Sequence, residues 1–223
     1  MSEKPVKYSG FTLIELIMAL VVAGILMVWA VPSLTGYIDR TTLTSATNDW
    51  VGAINLARSE AIKRGQRVTI CRRPVSMFCR GDIACQCGVS IPGDSGVANY
   101  HPGYLIFTSQ GNAQPLNFDP GLGNVLIKSG SAMPAKVRAQ GNGFGNNAFS
   151  FMPDGTLDPN DVGAGTASHV ICFKSDASDD STAQSTGRVP GRLVTIAASG
   201  RPRAAPLTAG ASCDGNNYDS ASG

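Results

Sequence analysis

The sequence predicts an α+β chain in which a long N-terminal helix precedes a β-rich domain. Three observations lead there. From Phe11 to Val31 the side chains are almost all apolar, and at 1.5 Å per residue that run makes about 30 Å of helix, the depth of a bilayer core. From Ser33 to Arg64 the pattern becomes amphipathic, with apolar residues recurring at helical spacing. Beyond Gly65, short β-branched and aromatic runs alternate with turn residues. The chain holds 26 glycines and 13 prolines but only 7% aromatic and 15% charged residues, which suits a turn-rich β domain better than a helix bundle.

In chain order, residues 1–10 form a short leader carrying Lys4 and Lys7. Such basic residues hold a leader on the cytoplasmic side, so everything after Pro32 is expected to be exported. Residues 11–32 are the expected transmembrane segment. Its one charge, Glu15, needs a partner, because a carboxylate at membrane depth costs about 2.5–3.5 kcal/mol. No small-x-small cleavage site follows the run, so any cut precedes it. Residues 33–65 continue the helix: Leu34, Ile38, Ala46, Trp50, Ile54, Ala57 and Ala61 fall on one face. Lys63 and Arg64 suit the negative end of the helix dipole, and Gly65 suits the position just past it. Gly24 and Pro32 are the weak points, and Pro32 is expected to bend or break the helix.

The globular domain is expected over 66–212. Its strands are Arg67–Cys71, Tyr104–Thr108, Val125–Ile127, Lys136–Arg138, Phe149–Phe151, His169–Phe173 and Arg192–Ile196, with Met152–Leu157 as a hairpin turn. Residues 213–223 read as a loose polar tail.

The net charge of +2 does not announce nucleic acid, but the charges are unevenly placed. Arg58, Lys63, Arg64, Arg67, Arg72, Arg73 and Arg80 face Glu60 alone, a run that reads as structural. Arg188, Arg192, Arg201 and Arg203 occupy a second stretch with no acid between Ser181 and Cys213. Six cysteines in an exported, oxidising setting favour disulfides. Cys85 and Cys87 lie too close to pair comfortably with each other. Cys71 and Cys79 therefore pair with them in one of two ways, and Cys172 pairs with Cys213. Without a Cys-x2-Cys pair no zinc site is expected. Asp154, Asp158, Asn160 and Asp161 lack calcium-loop spacing and read as turns. Residues 93–96 (Gly-Asp-Ser-Gly) and 80–82 (Arg-Gly-Asp) match short motifs without the context either needs. No enzyme activity, metal or cofactor is expected.

Gly10 followed by Phe11-Thr12-Leu13-Ile14-Glu15 resembles the class III signal of type IV pilins and type II secretion pseudopilins. The resemblance implies cleavage between Gly10 and Phe11 by prepilin peptidase, and N-methylation of Phe11. Glu15 becomes the fifth mature residue, the assembly glutamate, neutralised by the freed ammonium of a neighbouring subunit. Ala57–Gly65 with the strand ending at Cys71, Gly103–Phe107, Phe149–Leu157 and Gly200-Arg-Pro-Arg203 are similar to the GspH/FimT family, from residue 1 to about 203. That family fold is a long helix laid against antiparallel β-sheets. The loops 77–100 and 108–124 are long beside the family pattern.

The resemblance further implies partners among major and minor pilins or pseudopilins. It also implies a single-pass place in the inner membrane with the domain in the periplasm, followed by residence in the pilus. FimT-like members of naturally transformable bacteria carry a Gly-Arg-x-Arg motif that binds DNA. Here it puts Arg201 and Arg203 on double-stranded DNA phosphates, with Arg192 and Arg188 widening the patch. In an extended segment residues i and i+2 share a side, so both guanidinium groups face one surface. The alternative is structural: a priming minor pilin, or the H pseudopilin of a type II secretion system, without DNA binding.

Overall fold

A computed structural model describes residues 10–73, 87, 98–99, 103–109, 117–134, 136–142, 148–161, 167–173, 189–208 and 210–211. Residues 1–9, 80–82, 93–96 and the tail, together with Cys79, Cys85, Arg188 and Cys213, lie outside the described residues. The chain divides into two compact units, Met1–Ile38 and Asp39–Gly223.

Helix α1 runs Leu13–Arg64. Thr12 caps its start: its hydroxyl accepts from the Glu15 amide at 3.3 Å and its carbonyl from Leu16 N at 3.2 Å. Glu15 stands in the first turn, where a carboxylate suits the positive end of the dipole. In the first unit the apolar side chains are exposed all round, from Phe11 and Leu13 through Ile17, Val21 and Ile25 to Met27. A helix apolar on every side needs a cover it does not supply itself. Among the described residues no helix is long and apolar enough to cross a membrane, so the span over 11–32 rests on the sequence. Of the bend or break expected at Pro32, the break does not occur, since the helix is continuous through it. A proline removes a single amide donor, which costs a helix stability without obliging it to end.

In the second unit α1 supplies the core. Leu43, Ala46, Trp50, Ala53, Ile54, Ala57 and Ala61 are all buried. The expected face therefore holds from Ala46 onward, whereas Ile38 is 52% exposed. The helix ends in a Schellman motif: Gly65 has φ +60, its amide donates to Ile62 O, and Gln66 N donates to Ala61 O.

Among the described residues nine strands follow: β1 Val68–Arg72, β2 Ala98–Asn99, β3 Tyr104–Thr108, β4 Leu126–Ser129, β5 Val137–Asn142, β6 Ala148–Phe151, β7 Ala167–Phe173, β8 Arg192–Ile196 and β9 Pro202–Pro206. They form two antiparallel sheets, of order β4-β3-β1-β6 and β2-β5-β7-β8-β9. A short 3-10 helix, Pro120–Leu122, lies in the loop before β4. Trp50 joins the layers, its ring edge-on to Tyr104 at 5.4 Å and Phe149 at 6.4 Å in one sheet and to His169 at 5.1 Å in the other. Val68 and Ile70 of β1 join the core with α1, while Cys71 lies in a second cluster with Leu105, Phe107 and Phe118. The β1 strand is thus covered on both faces, and all five of its residues are buried.

Cys71 and Cys87 are bonded across 16 residues. This is one of the two pairings left open by the sequence. Cys172 is also disulfide-bonded, and the Cys213 side of the expected pair lies outside the described residues.

Candidate nucleic-acid interface

Arg201 and Arg203 stand at the hairpin joining β8 to β9. The turn closes on itself: Gly200 N donates to Ala197 O at 2.8 Å and Ala197 N to Arg201 O at 3.2 Å. Gly200 takes φ +75, a conformation L side chains rarely adopt. A side chain there also has no room, since a Cβ would lie 2.1 Å from Gly155 O. The glycine of the motif is therefore a requirement of the turn.

Register decides where the arginines point. Thr195 pairs with Arg203 and Ile196 with Pro202, and carried one step further Ala197 opposes Arg201. Cross-strand partners share a face, and faces alternate along each strand. Val194 and Ile196 are buried in the core with α1. Arg201 and Arg203 therefore belong to the opposite face, and both are exposed. Among the described residues neither forms a salt bridge. The spacing expectation thus finds a backbone that can present two guanidinium forks on one side.

Arg192 is placed differently. Its parity is that of Val194, and it lines a cavity of about 240 Å³ with Arg40, Leu43, Thr44 and Pro190. The structure does not bring it to the face of Arg203, and Arg188 is outside the described residues.

Proline explains the rest of the motif. Strand β9 is the edge of its sheet. Arg201 O and Leu207 N bond inward to β8 and its flank, so residues 202, 204 and 206 turn their backbone outward. Two of those three are prolines, leaving Ala204 alone with an outward amide. An edge with a single outward donor resists pairing with another strand.

In the other basic run, Arg64 and Arg67 pair with acidic side chains, and Arg80 lies outside the described residues. Arg67 Nη2 donates to both carboxylate oxygens of Asp161, at 3.0 and 2.9 Å, and lies 2.8 Å from Asp158 Oδ2. All three side chains are buried. Arg64 pairs with Glu60 at 2.6 Å on the surface of α1. Asp154 accepts from Thr156 N and Oγ1, which holds its carboxyl below the usual carboxylate range. Asp158 accepts from Asn160 N. The acidic segment is therefore occupied by turns and one arginine, and among the described residues no group of side chains could hold a metal. Nothing in the sequence pointed to the Arg67 pairing, which joins residues 94 apart.

A family model described as type II transport protein GspH matches residues 46–200, and one described as the prokaryotic N-terminal methylation motif matches residues 6–31. No curated protein matches the sequence. Among solved structures, the chain is similar to a crystal structure of the type IV minor pilin FimU of Pseudomonas aeruginosa strain PAO1. The two are 17% identical with a TM-score of 0.51, over 80% of this chain and 99% of that one. A second crystal form of FimU gives 16% identity and a TM-score of 0.46, over 77% and 99%. At such identity the likeness is one of fold: a helix with antiparallel sheets.

Proposed function

Because the chain belongs to the GspH family and carries the N-terminal methylation motif, we propose that it is a minor pilin that captures double-stranded DNA through Arg201 and Arg203. The observation that carries this reading is the hairpin at Gly200. It presents two exposed arginines, without a salt bridge among the described residues, at i and i+2 on the face away from the core, on a strand edge blunted by proline. Guanidinium forks match phosphate oxygens, and such contacts are independent of sequence and sensitive to salt.

Maturation supplies the rest. Prepilin peptidase cuts between Gly10 and Phe11 and Phe11 is N-methylated. Glu15 then engages the new N-terminus of a neighbouring pilin. The subunit rests in the inner membrane with its domain in the periplasm until assembly carries it into the filament. The all-round apolar helix of the first unit supports this, since lipid and then neighbouring helices would cover it.

A fragment from Asp39 onward keeps every residue of the main core and is suited to the test. Retardation of double-stranded DNA at low salt, lost in Arg201→Ala with Arg203→Ala, is expected. No retardation by the unsubstituted fragment would leave the structural reading, a priming pilin or secretion pseudopilin.

A further inference from the structure

Two turns and one helix residue are stacked beneath the arginine hairpin. Arg58, half-buried on α1, donates from Nε to Gly155 O at 2.9 Å, bridging 97 residues. Gly155 has φ +82, which an L side chain rarely adopts, and a Cβ there would meet Ile62 Cδ1 at 2.6 Å, one turn along α1 from Arg58. The turn is stiff: Gly155 N donates to Met152 O and Met152 N to Thr156 O, both at 2.8 Å. On its far side sits Gly200. A Cβ on Gly200 would meet Gly155 O at 2.1 Å, Arg58 Nε at 3.0 Å and Arg58 Cδ at 3.2 Å. Leu157 N donates to Ala198 O at 2.9 Å, fastening the two turns together a second time.

From this stack we infer that Arg58 is a positioning residue for the DNA-binding hairpin. The inference rests on the proposed function for its consequence but not for its geometry. Gly200 lies against Arg58, while the β8–β9 register puts Arg201 and Arg203 on the face away from the core. Arg58 therefore underpins the turn and does not share a phosphate surface with it. Its bond to Gly155 O satisfies a carbonyl of the buried Gly155, and it holds that carbonyl where Gly200 must seat. A mispositioned hairpin would spread the two guanidinium groups over several orientations, and the ordering cost would fall on DNA binding.

The experiment compares the Asp39 fragment unsubstituted and as Arg58→Ala, Arg58→Lys and Gly200→Ala. Amide hydrogen exchange is followed at Ala198–Arg203, and DNA affinity is followed against salt. Losing a hydrogen bond from a charged donor is expected to speed exchange in the hairpin and to weaken DNA binding about tenfold. The slope of log affinity against log salt should stay the same, because no phosphate contact is removed. Arg58→Lys retains a donor and should restore much of both. Gly200→Ala leaves every charge in place yet should reproduce the Arg58→Ala effect, which covers the case in which that variant fails to fold. Unchanged exchange at Ala198–Arg203 in both Arg58→Ala and Gly200→Ala overturns the inference. So does a salt slope reduced by about 0.9 in Arg58→Ala, the mark of a direct phosphate contact. If the unsubstituted fragment does not bind DNA, the functional reading fails and the exchange arm still decides the positioning role.

Discussion

Single buried polar residues set the sharpest expectations. Arg67 pairs with both Asp158 and Asp161 below the surface, and a buried charge stripped of its partner is costly. Arg67→Ala is expected to lower the stability of the Asp39 fragment by about 3–5 kcal/mol, read from urea unfolding. His169 is held neutral by burial against Trp50 and Phe149, which pushes its pKa down to about 3. The unfolded chain takes up that proton below about pH 6.5, whereas the folded one does so only near 3. Stability is therefore fully present above pH 6.5 and declines as pH falls toward 3, by up to about 1.4 kcal/mol per pH unit. In His169→Phe the decline should be shallower over that window, measured by unfolding midpoints across pH. Neither residue could be assigned its role from sequence. The partners of Arg67 lie on a distant turn, and His169 lies in a strand whose neighbours are set by sheet order.

Whole elements were easier to anticipate where periodicity reports packing. Ala46, Trp50, Ile54, Ala57 and Ala61 lie on the buried face of α1 because helical spacing leaves them little choice. Tyr104–Thr108 and Arg192–Ile196 fall where β-branched and aromatic runs placed them. Strand β9 was harder, because Pro202 and Pro206 normally argue against a strand, and only edge geometry admits them. Their role can be tested. Pro202→Ala with Pro206→Ala restores two outward amides, so the fragment should self-associate more readily with concentration, as read by sedimentation. Unaltered association would mean that the prolines do not guard the edge. The hairpin at Gly200 was legible as a basic motif, but its seat on Gly155 and Arg58 was not. That contact joins three segments far apart in the chain.

At the scale of the molecule, the proposed function assigns assembly to one end of the chain and recognition to the other. Glu15→Ala should leave leader cleavage intact yet keep the subunit out of filaments, as judged from processed size in membranes and content of sheared pili. The proposed recognition through Arg201 and Arg203 is tested most directly by salt dependence, since phosphate contacts release counterions in proportion to their number. The measurement is DNA affinity of the Asp39 fragment across a salt series, unsubstituted and with Arg201→Ala plus Arg203→Ala. The expected result is a slope shallower by about 1.8 in the double variant, about 0.9 per lost contact, together with weaker binding at low salt. Equal affinities and equal slopes in the two proteins would contradict the assignment of DNA capture to this hairpin.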